Sequence, residues 1–195
     1  GFAVAWWDSD GNNDSQGGSS YDIFAKTFTT TDASSNPVDT PIVSADEILV
    51  NTYTSGSQYD PAITSLSDGG FVVTWQSSGQ DGPSYGIFGQ RYDAQGNTFG
   101  DEFQVNTYTY RQQQEPSVAA LDNGGFVVTW DSYYQDQSNT WGVYGKMYDA
   151  EGEAESYEFR VNPATPSSQN KKSVTELGGV VMLFTSHSDR QRKTV

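Results

Sequence analysis

The chain has no cysteine, which excludes disulfides, thiol catalysis and cysteine-held metals. It has one histidine, His187, so activation of a nucleophile by imidazole has a single candidate, in a divergent last segment. Basic side chains are scarce: 10 Lys and Arg against 25 Asp and Glu leave a formal net charge of −15. Such a surface repels phosphate, so nucleic acid and anionic membrane are disfavoured partners. No segment of useful length shows helical periodicity, no apolar run approaches a membrane span, and no leader pattern is visible. Phosphate loops, zinc spacings and nucleotide motifs are missing as well. The polar fraction is Gly, Ser, Thr, Asn, Gln and Asp more than Lys and Glu, a composition that leans extracellular and microbial.

What is present is a repeat. GGFVVTW occurs at Gly69–Trp75 and again at Gly124–Trp130, a period of 55 residues (124 minus 69). The likeness continues through YGIFGQRYDAQG and WGVYGKMYDAEG (Tyr85–Gly96, Trp141–Gly152), then EFQVN and YEFRVN. The ends carry diverged copies, GFAVAWW from Gly1 and GGVVMLF from Gly178, so that Gly1, Gly70, Gly125 and Gly179 are equivalent. A period of this length marks a supersecondary unit that buries its apolar face only by packing on its neighbours. The extra residues of the first unit fall in two places, as loops on a fixed core would.

Within each unit the pattern predicts four short strands. In FVVTW the side chains of Phe71, Val73 and Trp75 share one face, Val72 and Thr74 the other. YGIFGQRY is apolar on both faces, hence buried on both sides, and its central small residue (Gly89, Gly145, Ala25) points to close approach of a neighbouring sheet. EFQVN is a short third strand. PAITSL and PSVAAL form a fourth, joined to FVVTW by a tight Asp-Gly-Gly or Asn-Gly-Gly turn. Four antiparallel strands with both faces apolar predict an all-β fold of β-propeller-like blades; an open β-solenoid or a string of small sandwiches is the alternative. The units divide as residues 1–66, 67–121 and 122–177, with 178–195 an extra strand and a basic tail. Three units do not close a ring. The chain is therefore expected to be part of something longer, or to complete its blades by self-association through its terminal strands, in the extreme as a filament.

The string GGFVVTWQSSGQDGPSYGIFGQRYDAQGNTFGDEFQVNTYT resembles a repeat of very large secreted and surface proteins of bacteria, many of which also carry calcium-binding (RTX) or cadherin-like segments. The resemblance runs from Gly1 to about Thr185 and is strongest over Gly69–Gly152. It implies an extracellular, repetitive, adhesive or structural protein and assigns no catalytic residue. The RTX nonapeptide is not in this chain, so the resemblance does not carry calcium dependence with it.

Candidate sites are few. Asp8, Asp10, Asn12 and Asp14 read D-x-D-G-x-x-D after the first strand, and alternating hard oxygens around a glycine are what calcium requires; a solvated acidic loop is the plainer reading. The other repeats keep only Asp81 or Asp136 of that pattern. Asn13 heads the one N-glycosylation sequon. Trp7, Tyr133 and Tyr134 stand in or near loops after the first strand of their units, where rings can stack on sugars and neighbouring Asn, Gln and Asp can bond hydroxyls. Trp141 aligns with Tyr85 and Tyr21 and is expected to pack, whereas Tyr133 and Tyr134 align with Ser78 and Gly79 and are the better binding guess. Asp60 and Glu115 occupy equivalent places; a glycosidase needs two carboxylates, but equivalence puts them on different blades, so a turn role is expected. The recurring Val-Asn (Asn51, Asn106, Asn162) and Gln58, Gln113 and Gln169 read as structural amides.

The sequence thus favours a non-enzymatic structural or adhesive module, in one form a fibre subunit. A carbohydrate-binding module, with or without calcium, is the second reading and an enzyme the third. Glycans, the rest of a longer chain, or further copies of this one are the expected partners.

Overall fold

The computed structural model describes residues 1–9, 21–32, 34–43, 46–136, 139–162, 168–177 and 180–187. Every regular element among them is a strand. The first sheet contains β1 (Phe2–Asp8), β2 (Asp22–Thr31), β3 (Pro37–Val43) and β4 (Ile48–Leu49). The second is β5 (Gln58–Ser65), β6 (Phe71–Ser78), β7 (Tyr85–Tyr92) and β8 (Phe103–Gln104), hydrogen-bonded in that order. The third repeats it with β9 (Gln113–Ala120), β10 (Phe126–Tyr133), β11 (Trp141–Tyr148) and β12 (Phe159–Arg160). A hairpin of β13 (Gln169–Leu177) and β14 (Val180–His187) follows. All pairings are antiparallel. These are β-propeller blades, as the strand pattern predicts. The sheets are offset from the sequence period by one strand, because PAITSL and PSVAAL open a sheet rather than close one.

The hairpin that joins β5 to β6 follows from its residues. Gly69 takes φ +88°, which costs glycine nothing. The Asp68 carboxylate accepts the Gly70 N–H at 2.8 Å, and Leu66 and Gly70 close the turn at 2.8 Å. The β6 strand that leaves it is buried on both faces, for a reason visible in the packing. Phe71, Val73 and Trp75 pack with Ile23, Ala25 and Val50 of the first sheet, whereas Val72 on the opposite face joins Phe126, Val128 and Trp130 of the third. Val127 turns in the same way to Val174 of the last hairpin. The second and third sheets are therefore each packed between two neighbours. On β1, whose corresponding face no preceding sheet covers, Phe2 and Val4 are 46% and 41% exposed, against 5% and 0% for Phe71 and Val73.

Two details correct or extend the sequence reading. The space beside the central glycine of β7 is filled from its own sheet: a Cβ on Gly89 would lie 2.7 Å from the ring of Phe103, its partner on β8. Gly145 faces Phe159 in the same way at 3.0 Å. Where the first sheet has Ala25, its partner is the smaller Ile48. The recurring asparagines bond the backbone across the sheet, with Oδ1 of Asn51, Asn106 and Asn162 accepting the N–H of Ile23, Ile87 and Val143 at 2.7, 2.6 and 2.7 Å.

Candidate functional site

The strands β5 and β9 start on one rim of the blades, beside the ends of β6 and β10. Both carry Gln-x-(Asp/Glu)-Pro at that end, and both break register there. Asp60 and Glu115 sit in the breaks with φ of +50° and +53°, a left-handed conformation uncommon outside glycine. A bulge of this kind re-aims a side chain. The proline that follows has no N–H to lose from the ladder. The backbone N–H of Glu115 is held from the preceding sheet by Oε1 of Gln76, at 3.0 Å.

Packing between sheets brings the two carboxylates within electrostatic reach. Asp60 keeps solvent access, yet the protein crowding its carboxyl desolvates it and, with the charge of Glu115 as the second cause, raises its pKa above the ordinary aspartate value. The two residues lie on separate sheets, as equivalence by repeat implies, and the opening strands that carry them, β5 and β9, pack against each other.

An aromatic wall adjoins Asp60. Trp7, at the place that Gln76 holds in the next sheet, is 45% exposed. It meets Tyr21 edge-on at 5.0 Å and Tyr59 at 5.6 Å. Tyr59 in turn contacts Tyr21 at 5.2 Å and Tyr85 at 6.5 Å. Trp7 is thus a reachable ring braced by neighbours. Tyr133 and Tyr134 lie on the same rim of the third sheet, 6.3 Å apart. Tyr133 contacts Trp141 at 5.1 Å and donates to Oδ1 of Asn139 at 2.9 Å. Trp141 packs, as its alignment implies. The loops that lead into β5 and β9 are clamped from the following sheet: Glu102 accepts the N–H and hydroxyl of Thr52 at 2.6 and 2.9 Å, and Glu158 those of Thr107 at 2.8 and 2.9 Å.

Of the calcium pattern, Asp8 is exposed at the end of β1, while Asp10, Asn12, Asp14 and the sequon residue Asn13 lie outside the described residues. Among the described residues no group of three or more His, Cys, Asp or Glu is placed to hold a metal. The two acidic residues that the other repeats retain have structural partners. Asp81 accepts from Gln104 and Asn106 at 2.9 and 2.8 Å, and Asp136 pairs with Arg160. In the first sheet Asp22 gives Asn51 the same support at 2.8 Å. Asp22 occupies the position of Gly86, where a Cβ would strike the Asp81 carboxylate at 2.3 Å. The carboxylate is kept in space although it moves in sequence.

Tyr21, Tyr59, Tyr110 and Arg111 were not picked out by sequence reasoning. The first two resemble ordinary strand aromatics. The last two show up only when the loop of residues 106–113 is set against that of residues 51–58, where Ser55 and Gly56 stand in their places.

No family model and no curated protein sequence matches the chain. Its fold is similar to that of an endo-arabinase from Bacteroides thetaiotaomicron, with 16% identity, a TM-score of 0.50, and coverage of 88% of this chain and 62% of that one. It is also similar to a Penicillium chrysogenum α-L-arabinanase in complex with arabinobiose, with 13% identity, a TM-score of 0.52, and coverage of 87% and 54%. The chain therefore spans between half and two thirds of each. Both are β-propellers, which agrees with the blades described above. The likeness corrects the expectation of a non-enzymatic structural or adhesive module and fibre subunit. The blade is a scaffold that two carbohydrate enzymes carry, so repetition of the blade does not argue for a structural role or against an enzyme.

Proposed function

We propose that the chain binds glycans along the rim at which β5 and β9 begin. The observation that carries this reading is the exposed Trp7 ring, braced by Tyr21 and Tyr59, beside the carboxylates of Asp60 and Glu115 on their bulges. A sugar presents an apolar ring face and a fringe of hydroxyls. Reachable aromatics match the face, and acceptors fixed by the backbone match the fringe. Two arabinan-directed enzymes on the same kind of fold support the reading. An extracellular or cell-surface setting belongs to the same proposal and rests on the repeat resemblance and the polar, cysteine-free composition. Calorimetric titration with arabino-oligosaccharides and a panel of other neutral oligosaccharides tests it. Binding is expected, and Trp7→Ala and Tyr59→Ala are expected to weaken it about tenfold, the scale of one lost stacking contact. Uniform absence of binding, or binding indifferent to both substitutions, overturns the reading.

The Asp60–Glu115 pair favours a second reading, hydrolysis of the bound glycoside. One carboxyl with a raised pKa donates a proton to the leaving oxygen while the other carboxylate takes a proton from water. Release of reducing sugar that is lost in both Asp60→Asn and Glu115→Gln, with binding retained, is the supporting result. Its absence on every glycan that binds leaves recognition alone.

A further inference from the structure

We infer that the third sheet adds a subsite for an anionic sugar, one bearing a carboxylate or a sulfate ester, built from Arg111 and the rings of Tyr110, Tyr133 and Tyr134. This deepens the glycan-binding reading and rests on it.

The repeat supplies an internal control. The second and third sheets agree closely in their cores, from GGFVVTW to the stacked Phe71–Tyr92 and Phe126–Tyr148 pairs, both at 4.8 Å. At the rim they part. Ser55, Gly56 and Ser57 of the loop before β5 become Tyr110, Arg111 and Gln112 before β9, and Ser78 and Gly79 at the end of β6 become Tyr133 and Tyr134 at the end of β10. These changes are scattered in sequence and converge in space. Tyr110, Arg111, Gln112 and Tyr133, with Pro83 and Ser84 from the second sheet, line one pocket of about 270 Å³. The guanidinium of Arg111 lies 4.8 Å from the ring of Tyr110 and 5.8 Å from that of Tyr134.

Charge gives the pocket its direction. Among the described residues the other two arginines are committed, Arg91 to Asp68 and Arg160 to Asp136. Among the described residues Arg111 has no ion-pair partner, and it lies against ring faces, which orient its fork without consuming its donors. A planar guanidinium of this kind takes carboxylate or sulfate oxygens two at a time, and tyrosines around it suit the sugar that carries them. The backbone at Tyr134 is also strained on behalf of the site. It has φ +67° where the second sheet places Gly79 at φ +80°, so a bulky residue stands in a conformation that the parallel position leaves to glycine. On a chain of net charge −15, a site of this sort selects a short anionic group locally and does not attract polyanions at long range.

The test compares matched sugars on the whole chain by calorimetry: trigalacturonic acid, its full methyl ester, and galactobiose with and without a 6-sulfate. Wild-type protein is expected to prefer at least one charged member of these pairs about tenfold, the scale of a charge-assisted contact. Arg111→Gln is expected to abolish the preference while neutral binding at the Trp7 wall persists, with circular dichroism confirming the fold. Preference for trigalacturonate identifies a carboxylate, and preference for the sulfated disaccharide a sulfate. Equal affinity within both pairs, or a preference that survives Arg111→Gln, overturns the subsite and leaves the neutral-glycan reading standing. Loss of all sugar binding in wild-type protein removes both.

Discussion

Gln76 and Glu115 lock adjacent blades: Oε1 of Gln76 accepts the Glu115 backbone N–H at 3.0 Å, at the point where the opening strand bulges. Gln76 is 8% exposed, and a buried N–H deprived of its acceptor costs about 1–3 kcal/mol. Gln76→Met is expected to lower the free energy of unfolding by that amount and to weaken glycan binding, since the bulge that aims Glu115 loses its brace. A variant with unchanged stability and unchanged binding would show that water replaces the lock.

The raised pKa of Asp60 has a sign that can be checked. A carboxyl that binds its proton more tightly when folded supports the fold in acid, and that support is lost as pH rises through the folded pKa. At neutral pH the charged Asp60 therefore opposes folding. Asp60→Asn retains the side chain's shape and tolerates the positive φ of +50°. It is expected to raise the melting temperature at pH 7, with the gain shrinking to nothing below the ordinary aspartate value of 3.8. A melting temperature that falls at pH 7, or a gain independent of pH, refutes the raised pKa that desolvation and, second to it, the Glu115 charge give Asp60.

Size matching between the third and fourth strands of a sheet makes a separate prediction. A methyl group on Gly89 meets the Phe103 ring at 2.7 Å, and overpacking of this kind costs about 1–3 kcal/mol. The first sheet shows the accommodated form in Ala25 opposite Ile48. Gly89→Ala alone should destabilise, and Gly89→Ala with Phe103→Ile should recover most of the loss. A double-mutant cycle with no coupling between the two positions would mean that the glycine is there for another reason.

These pairs show what was legible in the sequence. Period-2 alternation in FVVTW and the two-sided apolar pattern of YGIFGQRY led to the blade because both report local burial, and the second and third sheets that carry them do lie between two others. The site was harder to read for a physical reason. Asp60 and Glu115 are 55 residues apart (115 minus 60), and their coupling arises only when two opening strands pack side by side, which no local pattern records. Trp7, Tyr133 and Tyr134 were visible because they break the repeat. Tyr21 and Tyr59 were not, because a tyrosine at a strand end looks alike whether it packs in the core or braces an exposed ring. The small residue at Gly89 was noticed, but its filler comes from Phe103 on the same sheet and not from a neighbouring one.

Tyr134 sets stability against function. Its φ of +67° is a strain of about 1–3 kcal/mol for a residue of this bulk, in a position that glycine fills in the second sheet. Tyr134→Gly relieves the strain but frees the unfolded chain and removes the ring contacts with Tyr133 at 6.3 Å and Arg111 at 5.8 Å. These opposing effects leave an expected net change between zero and about 1 kcal/mol of stabilisation. Affinity for the anionic sugar that selects Arg111 is expected to fall in the same variant, because the guanidinium loses one of the two faces that orient it. A denaturant series and a calorimetric titration on the one protein settle the point together. A clear loss of stability with affinity intact would make Tyr134 a packing residue and leave its backbone strain without a functional cause. Equal or greater stability with weakened affinity is the signature of a residue held in an unfavourable conformation for what it binds.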